Sequence, residues 1–244
     1  MSERYFYSYR QTIPDYDCDP LLRLKGSATL RYLQRAATEH LTALDLPYER
    51  LYAEGVVFVL AGQAVRVARA PVAGETVVVA TAPVPGRGAQ LLRETAILSE
   101  TGELLIEGQS AWAMIDPQSQ HLLRAGDFHH ALPMRTEWQP FADPSRLRIR
   151  APETPLGVRT VRLSDLDRNR HMNNTVYADL LLDCFPDELL ASGGLDTLFL
   201  RYRQQARLGE ALRLTGGFDG QLYAVEAQLD GNCCFEGAFS LRPL

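Results

Sequence analysis

The feature that most constrains this chain is that its second half repeats the order of its first. The segment "DCDPLLRLKGSATLRYL" (17–33) lies over "DLDRNRHMNNTVYADLL" (165–181) at an offset of 148, with both Asp in register. A second pair, "RVARAPVAGE" (66–75) over "RYRQQARLGE" (201–210), shares the Arg, the Gly and the Glu at an offset of 135. Each copy reads as a strand, a helix and then a run of strands. In the first, residues 4–13 are aromatic-rich and partly alternating, as a strand with one buried face requires. Leu30, Leu33, Ala37, Leu41 and Leu44 then fall at helical spacing within 27–46. Residues 56–67, 75–82, 90–99 and 103–115 read as strands, separated by "PVAGE", "PVPGRG" and "SETGE". In the second copy 157–163 reads as a strand and 175–185 as a helix, with Val176, Leu180, Leu181 and Cys184 on one face. Strands follow at 197–204, 210–218, 222–229 and 232–241.

A helix followed by about four short-looped strands implies a mainly antiparallel sheet, because parallel neighbours need a crossover between each pair. The helix can bury its apolar stripe only along that sheet, so each copy is an α+β unit. The expected organisation is a first unit at 1–130, a connector at 131–156 and a second unit at 157–244. Residues 117–156 hold six of the fourteen Pro and a basic "RLRIR" (146–150), which suits a connector packed across the surface or a basic docking patch.

With 46% hydrophobic and 23% charged residues and a net charge of −5, the composition is that of a soluble globular protein and gives no support to nucleic-acid binding through bulk charge. No apolar run is long enough to cross a bilayer, and "MSERYFYSYR" lacks the pattern of a signal peptide, so the expectation is a cytoplasmic protein without membrane attachment. The four Cys (18, 184, 233, 234) have no paired metal-ligand spacing and read as reduced. Arg supplies 24 of the 25 cationic residues, which fits an anionic ligand or codon bias equally well.

The chemistry concentrates in "SDLDRNRHMNNTVY" (164–177). Asp167, Asn169 and His171 alternate, so an extended segment would turn all three to one side. Asn173 and Asn174 stand where Asn caps a helix, beside N–H groups that favour an anion or a developing oxyanion. The plainer account is that the Asp and Asn side chains make turn bonds and His171 is an ordinary surface or core residue. The first copy separates the two. It keeps Asp17 and Asp19 but has Leu21, Arg23, Lys25 and Gly26 in place of Asn169, His171 and the two Asn. A loop needed only for its turn would be needed twice. The donor set is too small for tetrahedral zinc, and neither HExxH, CxxC, GxSxG nor a dinucleotide fingerprint is present, so no metal or cofactor is expected. Acid/base or electrostatic work on a carbonyl substrate remains.

These residues resemble a known family. "DLDRNRHMNNTVYADLLLD" is similar to the D-x-N-x-H-x-N-N segment of acyl-acyl carrier protein (ACP) thioesterases. "LQRAATEHL" (33–41), with Gln34, Ala37 and His40, and "WAMID" (112–116) look like that family's first half. The resemblance implies a double hotdog fold, two antiparallel sheets each wrapped around a long helix. It implies hydrolysis of acyl-ACP or acyl-CoA by activated water, with acyl carrier protein as partner and a monomer or homodimer as the assembly. It assigns Asp167, Asn169 and His171 to the catalytic site. Where the family shows Y-R-R/K-E-C or Y-x-x-E, this chain reads "YRQQA" (202–206), so Gln205 replaces the Glu and Ala206 the Cys. Gln205 can orient water but cannot take a proton. Either Asp167 or His171 is then the base, or hydrolysis is slow, or the chain binds acyl thioesters without cleaving them. A hydratase or dehydratase on the same fold is the other enzymatic alternative. His40, on the helix face with Leu33 and Ala37, reads as a buried packing residue or as part of an acyl pocket.

Overall fold

The computed structural model describes residues 5–191 and 193–243; Arg4, where the first expected strand begins, lies outside them. The first copy runs β1 (Tyr7–Thr12), α1 (Gly26–Ala43), α2 (Tyr48–Ala53), β2 (Val57–Val67), β3 (Thr76–Arg87), β4 (Gln90–Ser99) and β5 (Leu104–Ile115). The second runs β6 (Pro155–Thr160), α3 (Val176–Asp183), α4 (Asp187–Ala191), β7 (Gly193–Tyr202), β8 (Ala211–Phe218), β9 (Tyr223–Leu229) and β10 (Asn232–Pro243). All pairings are antiparallel, as short loops between successive strands require. The two sheets do not stay separate. They join edge to edge through β2 and β7, where Gly62–Arg66 pair with Arg201–Thr197, into one ten-stranded sheet of order β1-β3-β4-β5-β2-β7-β10-β9-β8-β6. Read outward from that seam, the two halves list equivalent strands in the same order.

The repeat is reproduced bond by bond. The N–H of Ile13 donates to the carbonyl of Glu75 and that of Val161 to Glu210, both at 2.9 Å. The Leu24 amide donates to Pro71 and the Met172 amide to Ala206, both at 2.8 Å. Gly74 and Gly209 both adopt φ +83°, a left-handed turn that glycine reaches without strain.

The helices are unequal. α1 ends in a Schellman motif: Asp45 is left-handed (φ 59°), its amide donates to Thr42, and the Leu46 amide donates back to Leu41. The apolar periodicity had extended the helix to Leu46. Leu46 is buried, but it contacts the helix end from outside, and Pro47 opens α2. α3 has only eight residues, because Pro186 cannot continue a helix. The connector crosses the sheet face opposite α1. Trp138 packs on Val84, Leu92 and Ala111, Arg135 pairs with the buried Glu94, and Phe141 meets Phe199 of β7. A side chain at Gly62 would put its Cβ 2.5 Å from the carbonyl of Pro144, so the connector lies flat there only because that residue is glycine.

The core lies between the helices and the sheet, and its two halves are filled differently. Gly108 pairs with Val65 and Thr95, and Gly237 pairs with Leu200 and Val225, which sets the equivalence. Both glycines sit under a helix leucine, Leu33 and Leu181, where a Cβ would come within 2.5 and 2.9 Å. Around Gly237 the space holds Leu198, Phe239 and Tyr223, with Phe185 5.3 Å from Phe239. The matching positions around Gly108 are Gln63, Ser110, Arg93 and Ala37.

Candidate functional site

Residues 165–175 form a tight turn rather than the extended segment their alternation suggests. The Asp167 amide donates to the carbonyl of His171 at 2.8 Å, and Arg170 takes φ 63°. The Asp167 Oδ1 accepts the amides of Asn169 (2.8 Å) and His171 (3.3 Å). The first copy builds the same turn, with Leu22 at φ 61° and the Asp19 Oδ1 accepting the amides of Leu21 and Arg23, each at 2.9 Å. This side-chain-to-backbone turn is what Asp does best at such a position. Asp165 is the second fixed point: it accepts two bonds from Arg159 (2.8 and 3.0 Å) and the Arg162 amide.

What differs between the copies is the side chains carried on the turn. Arg23 is tied down, its Nε donating to Asp19 and an Nη to the Gly193 carbonyl, both at 2.8 Å. At the equivalent place His171 is half-buried, and its Nδ1 is out of contact with water and has no hydrogen-bond partner among the described residues. A buried polar nitrogen left unpaired costs about 1–3 kcal/mol. Asn169 is exposed and lies against the other copy: the Tyr48 hydroxyl is 3.4 Å from its Oδ1. Arg168 stacks on the Tyr48 ring at 3.7 Å and reaches Glu49 at 3.3 Å. The start of α2 therefore buttresses the turn. Sequence reading missed it, although Pro47 followed by an acidic residue in the first turn is a helix-start signal.

The N-cap position of α3 is Thr175 rather than either Asn, and Asn173 supports it from two residues ahead: its Oδ1 accepts the amide and the hydroxyl of Thr175, both at 2.9 Å. Asn174 contributes its backbone carbonyl, which accepts the Tyr202 hydroxyl at 3.0 Å; that hydroxyl is also 3.4 Å from the Gln63 Oε1. Gln63 in turn lines a cavity of about 10 Å³ between α1 and the sheet, together with Gln34, Ala37, Thr95, Ser110 and Trp112. One tyrosine hydroxyl thus links the polar turn to a helix–sheet interior lined by small and polar side chains. Gln205 is exposed, and its amide has no partner among the described residues. It directly precedes Ala206, whose carbonyl holds the Met172 amide, so its backbone borders the turn. Ala206 is fully buried.

His40 and the cysteines stand apart from this constellation. His40 is 2% exposed, and burial beside the Arg93 guanidinium pushes its pKa down to about 4. Burial lifts the thiols of Cys184 and Cys233 to about 11 and that of Cys234 to about 12, so none is a ready nucleophile. All four cysteines are unpaired. Glu226, Cys233 and Glu236 bring ligand atoms within 4.8 Å of one another on the second copy, but Glu236 is already paired with Arg201 and Arg203. No helix among the described residues is long and apolar enough to cross a membrane.

The two halves share one fold and one turn but carry different side chains on that turn, and the fold is a double hotdog. The acyl-ACP thioesterase N-terminal domain matches residues 4–128 and the C-terminal domain residues 156–229, and the chain belongs to this family. Among its relatives, the chloroplastic palmitoyl-acyl carrier protein thioesterase of Cuphea hookeriana is 28% identical over 241 residues, covering 88% of this chain and 57% of the relative. The chain therefore spans little more than half the length of that protein. The acyl-ACP thioesterase structure from Bacteroides thetaiotaomicron superposes with a TM-score of 0.84 at 21% identity, covering 96% of this chain and 97% of the other. The 12:0-ACP thioesterase from Umbellularia californica gives 0.77 at 19% identity, covering 98% and 97%. These two similarities establish the fold.

Proposed function

We propose that this chain hydrolyses acyl-ACP thioesters and releases the fatty acid. The observation that carries the reading is the buried, unpartnered Nδ1 of His171 on a turn whose silent twin holds a fully tied Arg23. A ring nitrogen kept free at such a cost fits a group reserved for substrate or water. Asp167 spends one carboxylate oxygen on the amides of Asn169 and His171 and is committed to the turn, so His171 takes the proton. Water held between His171 and Asn169 attacks the thioester carbonyl, the carbon–sulfur bond breaks, and the proton taken by His171 passes to the departing thiolate. The first-turn N–H groups of α3, which begins just after the turn, stabilise the negative charge that develops on the carbonyl oxygen. Gln205 orients water without accepting a proton. The acyl chain enters beside α1 of the first copy, where the cavity of about 10 Å³ has room for a single water and has to open to admit it; aromatic side chains fill the counterpart in the second copy. Family membership and the relatives' printed activities support the reading. Four unpaired cysteines fit a reducing compartment such as the cytoplasm.

Purified protein offered a panel of acyl-ACP and acyl-CoA thioesters should release free thiol, and His171→Ala or Asn169→Ala should lower the rate by about 100-fold or more. Undiminished turnover in both variants would remove the site from this turn. A hydrated or dehydrated thioester in place of thiol would move the chain to the hydratase class. Gln205→Glu separates slow hydrolysis from binding alone: it should raise turnover in a slow hydrolase.

A further inference from the structure

The silent turn of the first copy borders a groove of about 700 Å³, within the range of ligand sites. Leu24, Leu182, Leu195 and Leu241 form its walls. Its rim is apolar and exposed: Leu21, Leu22 and Val72 are 50, 56 and 43% accessible, whereas the catalytic copy carries Asn169, Arg170 and Arg207 there. The groove is the symmetry mate of the candidate catalytic cleft. Its lining residues Asp19, Arg23, Ala70, Leu182 and Leu241 are, by the repeat, the counterparts of Asp167, His171 and Gln205 of the polar turn and of Gln34 and Trp112, which line the cavity beside α1.

We infer that this groove is a second acyl-thioester site, which binds the pantetheine-linked acyl group and does not cleave it. The identity of the occupant rests on the acyl-thioester reading above. Cleavage chemistry is missing because Arg23, Leu21 and Ala70 stand where His171, Asn169 and Gln205 would be needed. Charge selects the thioester over the free fatty acid. Of the basic side chains of the wall, Arg23 is paired with Asp19 and Arg31 with Asp17, while Lys25, whose Nζ reaches only the Tyr16 carbonyl at 3.4 Å, is outnumbered by Asp179, Asp183 and Asp187. Asp183 and Asp187 line the groove and have no ion-pair partner among the described residues. Two open carboxylates repel a fatty-acid carboxylate, whereas they accept the amide N–H groups of an uncharged pantetheine arm. The leucine walls take the first part of the acyl chain. Its depth is limited, since Phe185 and Phe239 occupy the interior beyond.

The test uses the full chain and S-dodecyl pantetheine, a thioether that cannot be hydrolysed, in calorimetric titration. Two sites per chain are expected. Ala70→Trp, which fills the groove, should weaken one of them at least tenfold and leave thiol release from acyl-ACP within about twofold. Leu21→Asp at the rim should weaken the same site and guards against misfolding of the first variant, with far-UV dichroism and melting temperature recorded for both. A single site in the parent, or two sites that survive both substitutions, overturns the inference. So does a groove that takes dodecanoate more tightly than the thioether. Absence of thiol release from every acyl-ACP would count against the proposed hydrolysis and leaves the binding count to decide the groove.

Discussion

Arg93 is 6% exposed on β4 and has no carboxylate partner among the described residues; one Nη lies 3.1 Å from the His40 Nδ1 and 3.1 Å from the Thr81 Oγ1. An arginine carries only donors, so the His40 Nδ1 must accept, which fixes a neutral ring protonated at Nε2. Burial lowers the Arg93 pKa to about 10, still leaving it charged at neutral pH. His40 is thus the packing residue that its place on the α1 stripe suggested, and it also serves as the acceptor for a buried cation. The consequence for stability has a definite sign. The folded pKa of about 4 lies below the value of 6.5 expected in the unfolded chain, so between these values the unfolded state binds more protons. The contribution is complete above about pH 6.5 and is lost as the pH falls toward 4. By pH 4.5 the loss should reach about 2 kcal/mol. Denaturant midpoints of the parent and His40→Gln at pH 7 and 4.5 measure it, and the gap between the two proteins should narrow by that amount. A constant gap would mean that His40 does not titrate on unfolding.

At the scale of elements, the strands were legible because each is bounded by a strong turn signal: β4 is found at 90–99, as read, between Gly88 and the "SETGE" turn. β7 begins at Gly193, four residues before the expected strand, because "GGLD" has little intrinsic β preference and is extended by pairing with Leu241–Pro243 of β10. α2 and α4 were invisible to periodicity at six and five residues. The edge pairing of β2 with β7 was illegible too, since either strand could have been an outer one. The turn at 165–175 could be located from its residue types and from the contrast with 17–27. Its buttress could not be, since Tyr48 lies 121 residues from Asn169 and meets it only through the seam. The unequal interiors yield the prediction that belongs here. Replacing Ala37 by Phe, the residue found at the equivalent position 185, adds more volume than the cavity of about 10 Å³ holds and should close the path beside α1, with melting temperature recorded as a check on overpacking. Thiol release from long-chain acyl-ACP should fall by about tenfold or more while that from the shortest accepted chain changes little. A uniform loss over all chain lengths would place the acyl group elsewhere.

The whole molecule carries a net charge of −5, which opposes approach of an acidic carrier protein unless a local patch reverses the field. The connector supplies one. Arg146, Arg148 and Arg150 alternate along it, all exposed and none in an ion pair among the described residues, while Leu147 and Ile149 between them are half-buried. That alternation anchors the segment with one face and presents three guanidinium forks with the other, a geometry suited to carboxylates. The connector's apolar residues cover the outer face of the first sheet, and its three arginines are the surface we propose for docking a carrier protein. Reversing all three to Glu should raise KM for acyl-ACP at least tenfold at low ionic strength, leave KM for the same acyl group on pantetheine within about twofold, and hardly alter kcat for either. The penalty should fade as salt is added, because exposed charges separated by more than a Debye length of about 8 Å are screened at physiological ionic strength. A loss that is equal for carrier-bound and carrier-free substrates, or one that salt does not relieve, would make the three arginines structural and put the docking surface on another face of the sheet.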